Sequence, residues 1–388
     1  MSFKRLFQLN LPMQQSAFLW GARQTGKSTF LRENFPRSYS VDLLQSEVYL
    51  DLSKQPHLLR ERILALPAET LQQPIIIDEV QKVPLLLDEV HWLIENKGLS
   101  FILCGSSARK LKRGAANLLG GRAWRFEFFP LSAQEIPDFD LLHALQNGLL
   151  PRHYLEKEAT RSLRAYVTQY LKEEVYAEGL VRHLPAFARF MDSLGFSQGQ
   201  LTNYTNIARD CGVDAKTVKE YYQILVDTLL GYSIEPYQKR VKREVLTSTP
   251  KFYLFDVGIA GWLGKYRITE LKGAQAGAAF EHFILMELMA YRGLKEKDFP
   301  IRYWRTKTGL EVDFILGEGE VALEVKLDRN VHLSELKGLF AFAEEHCPRR
   351  AIVVSQDQQK RVLQQGALTI EVLPWRLFLD ALWCGELI

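Results

Sequence analysis

The run Gly21-Ala22-Arg23-Gln24-Thr25-Gly26-Lys27-Ser28 sets two glycines five apart and follows them with a lysine and a hydroxyl. Glycines so spaced let the backbone curl around an anion, which the loop amides and the start of the next helix attract. Lys27 is placed to reach β- and γ-phosphates, and Ser28 to hold Mg2+. Thr29 completes the phosphate-binding set. A second run, Ile75-Ile76-Ile77-Asp78-Glu79, is an apolar strand ending in two carboxylates. Asp78 suits the Mg2+ shell, and Glu79 suits orienting and activating a water. The two runs together predict a site for ATP and Mg2+. A third strand ends at Cys104-Gly105-Ser106-Ser107, where Ser106 is placed to sense a γ-phosphate. Arg122 in Gly120-Gly121-Arg122 is either a charge stabiliser, in cis or from a neighbouring subunit, or half of a surface ion pair.

A second constellation lies far along the chain, in Glu311-Val-Asp313-Phe-Ile-Leu and Val321-Ala-Leu-Glu324-Val-Lys326. These read as a hairpin whose turn is centred between Glu318 and Gly319. That register sets Asp313 opposite Glu324 and Glu311 opposite Lys326. Alternation puts Val312, Phe314 and Leu316 on one face, with Glu311, Asp313 and Ile315 on the other. Asp313 and Glu324 would bind Mg2+ for phosphodiester hydrolysis, and Lys326 would steady the nucleophile or the developing charge. Glu281, on the preceding helix, would join the metal shell or orient a water. The alternative is a hairpin with solvated alternating charges.

Between these sites, Leu201–Leu225 reads as two helices with Gly212 in the turn and Asp214 as the second N-cap. Val218, Tyr222 and Leu225 bury one face, leaving Lys216, Thr217, Lys219 and Gln223 outward, as a recognition helix requires. Lys239, Arg240, Lys242 and Arg243 form a basic tip between the strands Tyr232–Tyr237 and Glu244–Thr249. Leu201 to Lys251 holds eight basic and six acidic residues, so only that tip is clearly positive. DNA contact and interdomain packing both stay open for this segment.

The elements that position these residues follow from periodicity. Strands are expected at Ala17–Trp20, Tyr39–Asp42, Pro74–Asp78, Phe101–Cys104 and Trp124–Phe129, with helices between them such as Leu85–Glu95. Tyr154–Ser193 is helical in period. The last part reads helix Ala276–Tyr291, strands Ile301–Arg305, Glu311–Leu316 and Val321–Lys326, helix Leu333–Glu345 and strand Ala351–Ser355. The chain has 388 residues, 47% of them hydrophobic and 24% charged, which excludes a disordered or fibrous protein. Lys plus Arg (49) nearly balances Asp plus Glu (46), so any nucleic-acid surface must be local. Four separated cysteines without a C-x-x-C pair argue against structural zinc and disulfides. With no signal-peptide core and no long apolar run, a cytoplasmic protein without a membrane partner is expected.

Gly-Ala-Arg-Gln-Thr-Gly-Lys-Ser, Ile-Ile-Asp-Glu-Val-Gln, Cys-Gly-Ser-Ser-Ala-Arg-Lys-Leu, Gly-Gly-Arg and Phe-Phe-Pro-Leu-Ser, in this order, resemble a bacterial and archaeal family of AAA-type P-loop ATPases. Its members carry a winged-helix segment and a C-terminal restriction-endonuclease-like domain. The resemblance implies a P-loop domain with additional strands and Glu79 as hydrolytic base. Asp313 with Glu324-x-Lys326 resembles the PD-(D/E)xK nuclease pattern, and Glu281 matches its helical acid, although no proline precedes Asp313. The expected fold is α/β: a parallel-sheet P-loop domain (1–137), a helical linker (138–200), a winged helix-turn-helix (201–250) and an α/β nuclease-like domain (251–388). The expected function is a DNA-associated ATPase whose nuclease-like domain is gated by ATP. The alternative is a nucleotide-regulated switch that binds DNA or protein without cleaving. A homo-oligomer stays open.

Overall fold

A computed structural model describes residues 3–107, 119–156, 158–171, 184–238, 249–366 and 368–388. The chain divides into two compact units, Met1–Leu131 with Ile224–Leu230, and Ser132–Gln223 with Gly231–Ile388.

The first unit is built on β1 (Ser16–Trp20), β2 (Ser40–Asp42), β3 (Ile75–Asp78), β4 (Phe101–Gly105) and β5 (Ala123–Glu127). They form one sheet in the order β2-β3-β4-β1-β5, with every neighbouring pair parallel. β1 and β4 are buried along their whole length, so both faces carry helices and their sequences read as unbroken apolar runs. The helix Leu86–Lys97 buries Leu86, Val90 and Leu93 on one stripe, as its spacing predicts. Because β3, β4 and β1 are parallel neighbours, Gly21, Asp78-Glu79 and Ser106 leave the sheet at one edge, the carboxyl end where ligands bind in such folds.

The second unit begins with short helices, Leu141–Asn147, Pro151–Leu155 and Ala159–Ala165, followed by Leu184–Phe196. The single helical stretch expected over Tyr154–Ser193 is therefore interrupted. Glu156 is extended (φ −79°, ψ 131°), which ends the helix that Pro151 begins; residues 172–183 lie outside the described set. The helices Tyr204–Cys211 and Ala215–Asp227 are joined by Gly212 at φ 67°. Asp214 Oδ1 accepts from Thr217 N at 2.8 Å, the expected N-cap. Val218, Tyr222 and Leu225 are buried, while Lys216, Lys219 and Gln223 are exposed.

β6 (Gly231–Ile234) pairs antiparallel with β7 (Lys251–Leu254). The strand expected over Glu244–Thr249 lies, but for Thr249, outside the described residues. Lys239, Arg240, Lys242 and Arg243 lie outside the described residues. The helices Val257–Leu263 and Gly273–Leu294 lead into β8 (Ile301–Arg305), β9 (Glu311–Leu316) and β10 (Val321–Val325). A 3-10 turn, Leu333–Glu335, and the helix Lys337–His346 replace the one expected helix Leu333–Glu345. β11 (Arg350–Ser355), β12 (Arg361–Gln365), β13 (Leu368–Pro374) and the helix Trp375–Cys384 complete the unit. The six strands form a mixed sheet, β12-β13-β11-β10-β9-β8, in which β8, β9 and β10 run antiparallel and β10-β11-β13 parallel.

One expectation of alternation fails here. The β8–β9 register shifts between Arg302 and Trp304, a bulge that gives β9 one extra residue. Val312 and Ile315 consequently join the same buried cluster, with Ala322, Leu339 and Phe342. The face assignment by simple alternation therefore holds only up to the bulge. Among the described residues, no helix is long and apolar enough to cross a membrane.

Candidate functional site

The loop after β1 turns into the helix Lys27–Asn34 through Gly26, whose φ of 102° is a conformation that only glycine adopts freely. Gln24 also has positive φ, 61°. Thr25 Oγ1 donates to Ala22 O (2.8 Å), and the buried Lys27 ammonium donates to Gly21 O (2.6 Å) and Ala22 O (2.9 Å). Lys27 is thus folded beneath a ring of backbone that has anion-binding shape. Arg5, which the sequence did not single out, braces the loop from outside. Its guanidinium donates to Thr25 O (2.7 Å) and Phe129 O (2.8 Å) and lies 4.2 Å from the Phe128 ring centre.

Ser28 Oγ donates to Asp78 Oδ2 at 2.8 Å, joining the loop to the end of β3. A hydroxyl beside a carboxylate is a hard oxygen set that suits Mg2+, which takes one or two protein oxygens and fills its shell with water and phosphate. Among the described residues, no three His, Cys, Asp or Glu side chains converge as a metal-binding group. Glu79 follows at φ 57° and is buried. Burial pushes its carboxyl above the usual range; Arg23 and Lys27 oppose this, and Asp78 adds to it. Arg23 Nε stands 3.9 Å from Glu79 Oε1. The Gln81 amide nitrogen donates to Glu79 Oε2 and to Ser106 Oγ (3.1 Å). Arg122 forms an ion pair with Glu95, the surface pairing of the two readings open to it.

The second constellation assembles around β9 and β10. Their ladder pairs Val321 with Leu316 and Leu323 with Phe314. One residue further, that register sets Asp313 beside Glu324, as the hairpin reading requires. Asp313 Oδ2 accepts from Val325 N (2.8 Å), and Lys326 Nζ is 2.7 Å from Glu324 Oε1. Glu324 Oε2 is buried with no hydrogen-bond partner among the described residues. Burial raises the pKa of Asp313 well above the carboxylate range, and Glu324 and Glu281 raise it further. Glu324 is also raised by burial, with Lys326 opposing. A divalent cation fits this pair, since it would neutralise two buried carboxylates and occupy the orphaned oxygen.

Glu281 is held differently. Its Oε1 accepts from Tyr253 OH (2.5 Å) and lies 3.5 Å from Lys251 Nζ. Lys251 Nζ is also 2.5 Å from Glu311 Oε1, whose other oxygen meets Arg305 Nη1 at 2.7 Å. Burial would lower the Lys251 pKa, but Glu281, Tyr253 and Glu311 raise it well above normal. Among the described residues, Asp313, Glu324 and Glu281 do not form one three-carboxylate group; Asp313 and Glu324 are the adjacent pair. The sequence missed Lys251, Tyr253 and Arg305, whose only signal was a charge or phenol alternating along short strands. Gly338 lets the helix Lys337–His346 rest on this site, because a Cβ there would meet Glu311 O at 1.8 Å.

Three family models match successive parts of the chain. Residues 14–137 match a family model described as AAA domain. Residues 138–272 and 276–378 match two models described as domains of unknown function, DUF8612 and DUF4143. Uncharacterized proteins of Mycobacterium tuberculosis and Mycobacterium bovis are each 26% identical over 302 residues, 76% of this chain. The chain spans 66% of the length of those relatives. A solved structure of the Aeropyrum pernix ORC1 protein in complex with DNA is 14% identical, with a TM-score of 0.30 over 65% of this chain and 86% of that one. The global similarity is too low to define a common fold. The AAA match, on a parallel sheet with a P-loop, supports an AAA-type ATPase in the first part of the chain.

Proposed function

We propose that the chain is an ATP-dependent switch acting on DNA, in which an AAA-type ATPase governs a Mg2+-dependent nuclease-like site. The observation that carries the ATPase reading is the Ser28–Asp78 hydrogen bond at the mouth of the loop. Ser28 and Asp78 would hold Mg2+, which would supply neutralisation of the phosphate charge. Lys27 would exchange its carbonyl partners for phosphate oxygens, and Glu79 would accept the proton of the attacking water. In the second unit Asp313 and Glu324 would hold Mg2+, which polarises a phosphodiester and acidifies bound water. Lys326 would offset the charge that develops on the scissile phosphate. The outward Lys216, Lys219 and Gln223, with the basic residues 239–243, supply DNA contacts.

A second reading, a nuclease-like domain that binds without cleaving, is favoured by one observation. Lys251 and Tyr253 hold Glu281, so a third carboxylate is not committed to the metal pair. Plasmid cleavage in Mg2+, with and without ATP, separates the two. We expect cleavage that Glu324→Ala abolishes while DNA retention persists, and that Lys27→Ala no longer couples to ATP. Retention without any cleavage selects the binding module. Cleavage indifferent to ATP and to Lys27→Ala removes the gating.

A further inference from the structure

We infer that Gln81 is a positioning residue that links the γ-phosphate sensor Ser106 to the hydrolytic base Glu79; this rests on the ATPase reading above. Gln81 is 3% exposed, and its amide nitrogen donates to both Glu79 Oε2 and Ser106 Oγ. An amide nitrogen carries two N–H groups, so both bonds are made at once. The directions matter. Ser106 accepts from Gln81, which leaves the hydroxyl proton to donate to a phosphate oxygen. Glu79 accepts on Oε2, which leaves Oε1 to take a proton from water; Arg23 Nε, at 3.9 Å from Oε1, is beyond hydrogen-bond reach.

Two further features set this glutamine apart from a space-filling one. Its Oε1 is buried without a hydrogen-bond partner among the described residues, so the side chain is seated for its nitrogen at the cost of its oxygen. The residue before Ser106 must also be small, because a Cβ on Gly105 would stand 2.2 Å from Gln81 Oε1 and 2.7 Å from the Trp20 ring. The end of β4 is thereby shaped around the Gln81 amide. A γ-phosphate that engages Ser106 fixes one end of this link and so fixes Glu79 at the other; after cleavage the outer end is released.

The test is steady-state ATP turnover and nucleotide affinity of the full chain. Gln81→Met keeps length and volume but cannot donate. We expect kcat to fall about 10- to 100-fold, the loss of one hydrogen bond to a charged group, with the affinity for a non-hydrolysable analogue unchanged. Gly105→Ala, whose Cβ would displace the amide along with the Trp20 ring beside it, should reproduce that split. Ser106→Ala combined with Gln81→Met should cost less than the product of the single losses, because one link is broken twice. Unchanged or higher kcat in Gln81→Met, multiplicative losses, or a parallel loss of affinity would each overturn the link. Absence of turnover in the unmodified protein would instead remove the ATPase reading itself.

Discussion

The helix that carries Glu281 is anchored six residues on by Glu287, and this anchor should make the second unit sensitive to pH. Glu287 is 1% exposed; Oε1 accepts from Ala133 N at 2.7 Å, and Oε2 accepts from Trp383 Nε1 at 2.9 Å. Burial pushes its carboxyl from 4.5 up to about 7, with the two donors opposing and Glu135 adding to the rise. The folded protein therefore holds a proton between about pH 4.5 and 7 that the unfolded chain has released. This stabilisation is complete below the unfolded value and is lost as pH rises through the folded one. At about 1.4 kcal/mol per pH unit, the loss over that interval is about 3 kcal/mol.

Glu287→Gln removes the titration. Its amide offers one acceptor where two donors point, so it should be less stable than the unmodified protein at pH 5. By pH 8 the unmodified protein carries a buried charge, and the variant should equal or exceed it. Differential scanning calorimetry at both pH values should show the melting difference moving by about 6–12 °C in favour of the variant. Comparing two proteins at each pH cancels the other buried carboxylates. A difference that stays constant from pH 5 to 8 would refute the reasoning, since it would mean that the two N–H donors suffice to keep Glu287 ionised.

The remaining predictions concern the two sites. Glu79→Gln should keep nucleotide affinity and lower phosphate release about 10²- to 10⁴-fold, as loss of a general base does; near-normal turnover would assign the base elsewhere. Arg5→Ala removes hydrogen bonds from a charged donor to the phosphate loop and to Phe129 O, and should cost about 2 kcal/mol in denaturant titration together with weaker nucleotide binding. Unchanged stability would show that the loop keeps its shape unaided. Mg2+ should raise the melting temperature of the unmodified protein, by an amount equivalent to about 2.7 kcal/mol at a hundredfold excess over its dissociation constant. To isolate the second site, this is measured in a Ser28→Ala background, where adding Glu324→Gln should abolish the gain. A gain that survives both changes would place the ion elsewhere.

Much of this was legible in the sequence for identifiable reasons. β1, β3 and β4 are buried strands, and burial on both faces leaves an apolar run that ends where chemistry begins, at Gly21, Asp78 and Ser106. The β9–β10 register was legible because a short turn leaves little choice of pairing. The bulge in β9 was not, since an extra residue in one strand depends on its partner β8 and leaves no mark in its own alternation. Lys251 and Tyr253 were invisible for a related reason. They lie on a separate two-stranded sheet and meet Glu281 only through tertiary packing. β12 escaped because Arg361–Gln365 is largely exposed, so no apolar period marks it.

The same distinction explains why a net charge of +3 says so little here. Around the second site stand Glu281, Glu311, Asp313 and Glu324, against Lys251, Arg305 and Lys326. Lys251 and Arg305 are spent on Glu281 and Glu311, and Lys326 on Glu324. Among the described residues, Asp313 is left with a backbone N–H and no ion pair of its own, only the longer-range pull of Lys251. A buried carboxylate in that position must bind a proton or attract a cation, because desolvation costs more than one neutral donor returns. Its raised pKa expresses the first outcome. The unpartnered oxygen of Glu324 beside it makes the second available to a divalent ion. The ion pairs thus do more than hold strands together, since by satisfying Glu281, Glu311 and one oxygen of Glu324 they leave the unmet charge on the adjacent Asp313 and Glu324, the pair that would hold a metal.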